Sequence, residues 1–428
     1  MNYLMKLPVK LREIIRQAKK VSLETGMPAF LVGGCLRDLI LKVKNIDLDI
    51  AVQGNGILFA KKLAKKLKSQ LIVHERFGTA TLILTDGLKV DIATTRQEKY
   101  PYSAALPVVS PGSLNEDLKR RDFTINCLAI SLLADKQQEI IDPFGGRNDL
   151  VSGRIRILHN LSFKDDPTRI LRAVRFSQRL NFKIEHQTFV LLKEAIAGGA
   201  LDKVNPHRMR DELILMLKEQ VPFKPIKQLA DLGGLFFINS KLKIDKTTQV
   251  LFKSIAKEIA WFVKKFPARK QLDTWLIYFS GLLKPLNLIQ IKMIIYRLGL
   301  LKADQKRMIS YFQCQKEIIA VLSKKQVIPE RIFSLLEPLS YEMIILLKAN
   351  VPNKNFKKHL RDFFEIYHGM RLSICGSDLS NLGVAPGPEY QKLFAKVFAA
   401  KLNGQVKNRQ AELDLIKKLV KNKFKRSV

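Results

Sequence analysis

Between residues 8 and 25 apolar side chains fall at Leu11, Ile14, Ala18 and Val21, a spacing that predicts a helix. The run Ala29-Phe30-Leu31-Val32 reads as a short strand that ends in Gly33-Gly34. A helix from about Cys35 to Leu41 and a strand over 46–52 follow. Residues 57–68 place Ile57, Ala60, Leu63, Ala64 and Leu67 on one face with lysines opposite, an amphipathic helix. Three strand-like runs, 71–74, 79–84 and 89–93, complete the pattern, with the turn Asp86-Gly87 joining the last two. From about residue 154 onward nearly every segment has helical periodicity, punctuated by Gly198-Gly199, Asn205-Pro206 and Pro352-Asn353. No repeat of fixed period is present. The expected class is therefore α+β, an N-terminal head with a small mixed sheet followed by an extended all-helical body. The boundaries expected are 1–150 for the head, 151–220 for a helical neck, 221–350 for the body and 351–428 for a helical tail.

Composition sharpens this picture. A chain of 428 residues that is 47% hydrophobic can bury sizeable cores and is not mostly disordered. Its 74 Lys+Arg against 39 Asp+Glu give a net charge of +35, spread along the whole chain, which suits a polyanionic partner such as nucleic acid. Cys35, Cys127, Cys314 and Cys375 lie far apart with no CxxC pair, so neither a zinc site nor a disulfide framework is expected. The first twenty residues lack the uninterrupted apolar core of a signal peptide, and a cytoplasmic location is expected. The most apolar stretch, 275–301, is interrupted by Lys284, Pro285, Lys292 and Arg297, so it predicts buried helices rather than a membrane span.

The chemistry concentrates in the head. Gly33-Gly34-x-x-Arg37-Asp38 is followed ten residues after Arg37 by Asp47-Leu48-Asp49. Side chains alternate across a strand, so Asp47 and Asp49 are expected on one face with Leu48 and Ile50 turned to the core. Two close carboxylates repel unless cations lie between them, and hard oxygen ligands suit Mg²⁺. A Gly-Gly turn feeding a helix lets backbone N–H groups approach a phosphate. Asp91, on the 89–93 run, could add a third carboxylate.

The segment LVGGCLRD…IDLDI resembles the first motif of the DNA polymerase beta superfamily, in the branch holding bacterial tRNA nucleotidyltransferases and poly(A) polymerases. Four further motifs of that class II branch follow in order: RRDFTIN from Arg120, DPFGG from Asp142, DDPTR from Asp165 and RMRDEL from Arg208. The resemblance runs over roughly 28–217, and GSDLSNLGVAPGPEYQKLF near the C-terminus resembles the tail of the tRNA-modifying members. It implies two divalent metals, Mg²⁺ on Asp47 and Asp49, with Asp91 beside them. It also implies nucleotide binding by Gly33, Gly34, Arg37, Arg120, Arg121, Asp122, Asn126, Asp166, Arg169, Arg172 and Arg175. Asp122 and Asn126 would recognise ribose hydroxyls, and an N-capped helix is expected to begin near Asp122. Asp165 stands where the family usually has Glu.

In DDPTRILRAVRFSQR, Asp166 is expected to cap a helix with Pro167 in its first turn, and Arg169, Arg172, Arg175 and Arg179 recur at three- and four-residue spacing on one face. Cytosine and adenine each present an amino donor beside an unprotonated ring nitrogen. An Asp–Arg pair offers an acceptor and a donor in matching order, whereas uracil and guanine would leave buried groups unpaired. One protein edge can thus choose C and A without a template, which is also the role the resemblance gives to Asp166 and Arg169. The expected activity is template-independent addition of CCA, or its last nucleotides, to the 3′ end of tRNA from CTP and ATP. A poly(A) polymerase, an A-adding specialist and a non-catalytic RNA-binding protein are the alternatives. The loop 100–111 lies in the region that, in the family, influences how much of CCA is added. The tRNA acceptor end is the expected partner, with no membrane and no obligate protein partner.

Overall fold

The computed structural model describes residues 3–43, 47–133 and 139–424. They form two units, Met1–Ser240 and Lys241–Val428. In the first, α1 (Val9–Thr25), β1 (Ala29–Val32), α2 (Gly34–Ile40), β2 (Leu48–Val52), α3 (Gly56–Leu67), β3 (Gln70–His74), β4 (Thr79–Ile83) and β5 (Lys89–Thr94) follow the periodicity closely. A hairpin, β6 (Arg96–Lys99) and β7 (Val108–Pro111), leads into α4 (Leu114–Lys119) and then β8 (Ala129–Ser131). The main sheet has the order β3-β4-β5-β2-β1-β8, with β2 and β5 parallel and the other pairs antiparallel, the mixed sheet expected of an α+β head.

The two faces of this sheet are unlike. Leu48, Ile50, Val90, Ile92 and Leu82 share one face, all at most 1% exposed, against α3. The opposite face is covered only at the β1–β8 side, where Phe30, Val32 and Ala51 pack with Leu118, Cys127 and Ala129. Beyond that cover, Asp49, Asp91 and Thr81 form one row across β2, β5 and β4 by backbone register. Alternation therefore delivers carboxylates to the border between a buried and an open surface.

After β8 come α5 (Gly146–Ser152), β9 (Arg154–Ile155), α6 (Ser162–Asp165), α7 (Thr168–Leu180), β10 (Lys183–Ile184), α8 (His186–Ala197), α9 (Pro206–Leu217) and α10 (Phe223–Asp231). α7 packs against α9 and α10. Gly146 starts α5 so close to the chain that a Cβ there would land on the carbonyl of Thr124. Asp142 accepts from the N–H groups of Gly146 (2.7 Å) and Arg147 (2.9 Å), closing the turn.

Two expectations are corrected and a third holds. The strand expected over 46–52 begins at Leu48, so Asp47 precedes the first paired residue and Ile46 lies outside the described residues. The helix expected near Asp122 is a single 3-10 turn, Thr124–Asn126, because Phe123 is extended and bridges to Ile157 before the chain turns into β8. Asp166 caps α7 as expected: it is extended, its side chain accepts from Thr168 N, and Pro167 already has helical conformation.

The second unit is helical: α11 (Lys246–Lys265), α12 (Thr274–Leu283), α13 (Leu288–Arg297), α14 (Lys302–Leu322), α15 (Pro329–Leu336), α16 (Tyr341–Asn350), α17 (Lys354–Asp362), α18 (Gly376–Ser380), α19 (Pro388–Leu402) and α20 (Arg409–Phe424). α11, α12 and α16 pack together, and α12 is buried from Trp275 to Leu283. The 275–301 stretch is thus two short helices of a protein core, and among the described residues no helix is long and apolar enough to cross a membrane. A smaller core of Ile374, Leu379, Leu393, Val397, Ile416 and Val420 holds α18, α19 and α20. Buried charges here close on one another. Lys348 donates to Glu258 at 2.5 Å and lies 3.2 Å from the Trp261 ring centre. Glu412, 0% exposed, accepts from Lys401 (2.6 Å) and the N–H of Ser373 (2.8 Å).

Candidate active site

A cavity of about 530 Å³ opens beside Asp49 and gathers most of the predicted residues: Gly34, Arg37, Arg120, Arg121, Asp122, Asn126, Asp166, Arg169 and Arg172. Arg179 and Arg208 also line it. Two hydrogen-bond chains hold its walls. In the first, Arg37 donates to both oxygens of Asp38 (2.8 and 3.0 Å) and to Asn126 Oδ1 (2.7 Å). Asn126 donates to Asp122 Oδ1 (2.8 Å), and Arg172 donates to Asp122 Oδ2 (2.8 Å) and Glu212 (3.0 Å). Burial would raise the Asp122 carboxyl, but the Arg172 charge and these hydrogen bonds outweigh it and bring it down to about 2. Asp122 is therefore a fixed acceptor at neutral pH.

In the second chain Asp117, 1% exposed, takes Arg120 on Oδ1 (2.7 Å) and Arg121 on Oδ2 (2.9 Å). Burial pushes its carboxyl up, yet the two guanidiniums leave it below the usual range. Arg120 also donates to Glu98 (3.0 Å), which accepts from Arg96 and Tyr100 as well. Gly33 sits at φ 69°, and a Cβ there would come within 2.5 Å of Arg121 Nη1. That glycine thus makes room for the arginine, a reason independent of phosphate approach.

Asp49 and Asp91 are Cα partners in register, and Thr81 donates to Asp91 at 2.6 Å. Burial raises the Asp49 carboxyl; Arg121 opposes it, Asp91 and then Asp47 add to it, and it reaches about 6. The three carboxylates are thus electrostatically coupled. Among the described residues no three His, Cys, Asp or Glu side chains are grouped closely enough to hold a metal ion by themselves. Buried carboxylate oxygen at Asp49, with Asp91 and Asp47 nearby, nonetheless fits a cation that takes further ligands from a substrate. Cys35, 2% exposed, has its thiol pushed up by burial and by Asp49.

At the far end Asp166 accepts from Thr168 N (3.1 Å), a capping bond, and from Arg208 (2.8 Å). Arg169, 4% exposed, donates instead to Ser162 (2.6 Å) and to the Arg120 carbonyl (2.9 Å). The two residues expected as a base-reading pair line the same cavity; Arg169 N–H donates to the Asp166 carbonyl (3.0 Å), while their side chains bond to other partners. Arg175 is not brought to the cavity: it lies behind it, 4.9 Å from the Phe176 ring and paired to Glu212 at 3.5 Å. Gly33, Asp47 and Asp91 are likewise absent from its lining. Sequence reasoning missed Glu98, Asp117, Glu212 and Arg208. For the last two the signal was present, since they stand four apart in RMRDEL at the start of α9.

The family described as Poly A polymerase head domain matches residues 29–156. A CCA-adding enzyme of Thermotoga maritima, solved in complex with tRNA_CCA, is 31% identical, with 97% of each chain covered and a TM-score of 0.70. The chain belongs to the class II tRNA nucleotidyltransferases. An A-adding tRNA nucleotidyltransferase of Geobacter sulfurreducens is 36% identical over 96% of this chain, which spans about half (49%) of that longer relative. An A-adding tRNA nucleotidyltransferase of Halalkalibacterium halodurans is 29% identical, covering 96% of this chain and 93% of its own. Family membership accounts for the order of the motifs along the chain, and the two hydrogen-bond chains account for why they meet.

Proposed function

We propose that this chain adds terminal nucleotides of CCA to the 3′ end of tRNA without a template, using ATP and CTP and releasing pyrophosphate. The observation that carries the reading is that one cavity joins the Asp49 edge of the sheet to a wall of arginines and, beyond it, to Asp166. The 3′-hydroxyl oxygen of the RNA attacks the α-phosphorus, a new O–P bond forms, the α–β bridge breaks, and the hydroxyl proton is released. A divalent cation held by Asp47 and Asp49 would lower the pKa of that hydroxyl and neutralise the leaving phosphates. Arg120 and Arg121, preset by Asp117, meet the triphosphate with fixed donors, which requires no reorganisation when substrate enters. Asp122 and Asn126 face the ribose and favour a ribonucleotide by accepting from and donating to its hydroxyls. Asp166 supplies the acceptor for the exocyclic amine of C or A, with Arg169 and Arg208 as the flanking donors. This catalytic work belongs to residues 1–150, base choice to 151–220, and RNA grip to the basic helical remainder.

A narrower reading, addition of the terminal A alone to RNA ending in CC, is favoured by two relatives that match 96% of this chain and bear the A-adding name. The test offers tRNA ending before CCA, after C or after CC, with labelled CTP and ATP singly and together. CTP incorporation that stops after A supports CCA addition, and ATP use confined to CC-ended tRNA supports the narrower reading. Unlimited ATP use on any RNA would replace both with poly(A) synthesis, and no incorporation at all would discard the enzyme.

A further inference from the structure

A second cavity, at the end of β4 and β5 where α3 begins, has no role in the chemistry above. Asp49 and Asp91 also line a shallow groove of about 380 Å³ floored by Thr81, Thr79 and Ala93. Gly78, just before β4, and Thr94, at the end of β5, line that second cavity, of about 460 Å³. Thr94 lies three positions along β5 from Asp91, roughly 10 Å at the usual rise of a strand. No acidic side chain lines this further cavity, while Arg76 and Arg96 do, and Arg96 lines the nucleotide cavity as well. Its mouth carries Phe77, 51% exposed, with the Arg76 guanidinium 5.5 Å from the ring centre. Arg96 donates to the Phe77 carbonyl (3.4 Å) and to Glu98 (2.9 Å), so the aromatic corner is tied to the wall of the nucleotide cavity.

An exposed aromatic ring flanked by arginines, in a cavity free of carboxylates, is a stacking platform for an unpaired base with cations for its phosphate. We infer that the Phe77–Arg76 cavity holds an unpaired nucleotide of the RNA one or two positions upstream of the 3′ end that reacts at Asp49 and Asp91. This rests on the function proposed above, because that reaction is what places the 3′ end in the groove. Arg96 lines both this cavity and the nucleotide cavity and so joins the two, and charge selects RNA over an apolar ligand. Phe77 serves here as a positioning residue for the acceptor, since it touches neither the incoming triphosphate nor the reacting atoms.

The test uses the full chain and CC-ended tRNA carrying 2-aminopurine at the nucleotide next to the 3′ end, titrated without nucleotide triphosphate. Stacking on Phe77 should quench the probe. Phe77→Ala and Arg76→Ala should lose most of the quench, Phe77→Trp should keep it, and the KM for RNA should rise about tenfold in Phe77→Ala with the KM for ATP unchanged. Thermal melts check that each variant folds, and Arg76→Ala stands in should Phe77→Ala fail to. Equal quench and equal RNA KM in wild type and both alanine variants would overturn the inference. The titration needs no turnover, so a chain that quenches the probe but transfers no nucleotide would fail the proposed function and not the platform.

Discussion

In residues 241–428 the buried charges close on partners inside the fold, as Glu258 does on Lys348 and Glu412 on Lys401. In residues 3–240 they form chains that end at a cavity: Asp38 to Arg37 to Asn126 to Asp122 to Arg172 on one wall, and Asp117 to Arg120 and Arg121 on the other. The first arrangement satisfies each charge where it stands. The second leaves Asp49 buried beside Asp91 and Asp47, and burial first, then those neighbours, raise its carboxyl to about 6 against the pull of Arg121. The contrast separates ion pairs that hold a fold from ion pairs that hold a ligand site, which composition alone does not distinguish.

The most severe way to break the contrast is Asp49→Asn. Transfer should fall by about 10³-fold or more, with the chain still folded. The sign of the stability effect is opposite. A carboxyl whose folded pKa is about 6 against an ordinary 3.8 favours the folded state only while protonated, and that advantage is lost as pH rises through 6. With a chelator present, wild type should therefore melt below Asp49→Asn at pH 7 and match it near pH 4, and added Mg²⁺ should restore the wild type alone. Melting curves at the two pH values decide it; a pH-independent difference would remove Asp49 from the charged cluster.

Next comes Asp117→Asn, in which a neutral amide cannot serve both guanidiniums. The kcat/KM for ATP should fall by about 10²-fold. Inhibition by tripolyphosphate should weaken while inhibition by adenosine does not. Equal loss for both inhibitors would mean that Asp117 merely supports the fold.

The mildest effect on transfer is expected from Lys348→Met in the helical unit. It leaves Glu258 in the core with only Lys357, 3.8 Å away, and should cost about 3 kcal/mol of stability without changing the KM for ATP, whereas Glu258→Leu combined with Lys348→Met should recover most of it. Urea unfolding followed by assays at low temperature separates the two readouts. An altered ATP KM would erase the distinction between the units.

Much of the head was legible beforehand because strands β2, β4 and β5 alternate cleanly and α1 and α3 are amphipathic. β8 was not, since Ala129, Ile130 and Ser131 are too few to show a period and two of the three are buried. β7 fell inside the stretch 100–111 read as loop because it is four residues long and ends in Pro111, and β6, being wholly polar, gave no strand pattern. RRDFTIN misled for a different reason: Asp122 before apolar residues imitates a helix start, while the tertiary need to present both Asp122 and Asn126 to one cavity imposes a single turn. Asp49, Asp122 and Arg172 were visible through motif spacing. Glu98 and Asp117 were not, because an isolated acid in a lysine-rich stretch has the same local signature whether it is solvated or clamps two arginines.

Asp49 and Asp91 face each other through a parallel strand pair, so their Cα separation is a backbone dimension of about 4.8 Å. Side-chain substitutions beneath them, at Ile50, Val90 or Ile92, can alter how firmly the sheet is seated without resetting that interval. Only a register slip would reset it, and a slip of one residue would drive both acids into the hydrophobic layer. The ruler between the two acids is thus graduated in peptide units, and the core can drift over evolutionary time while its markings stay put.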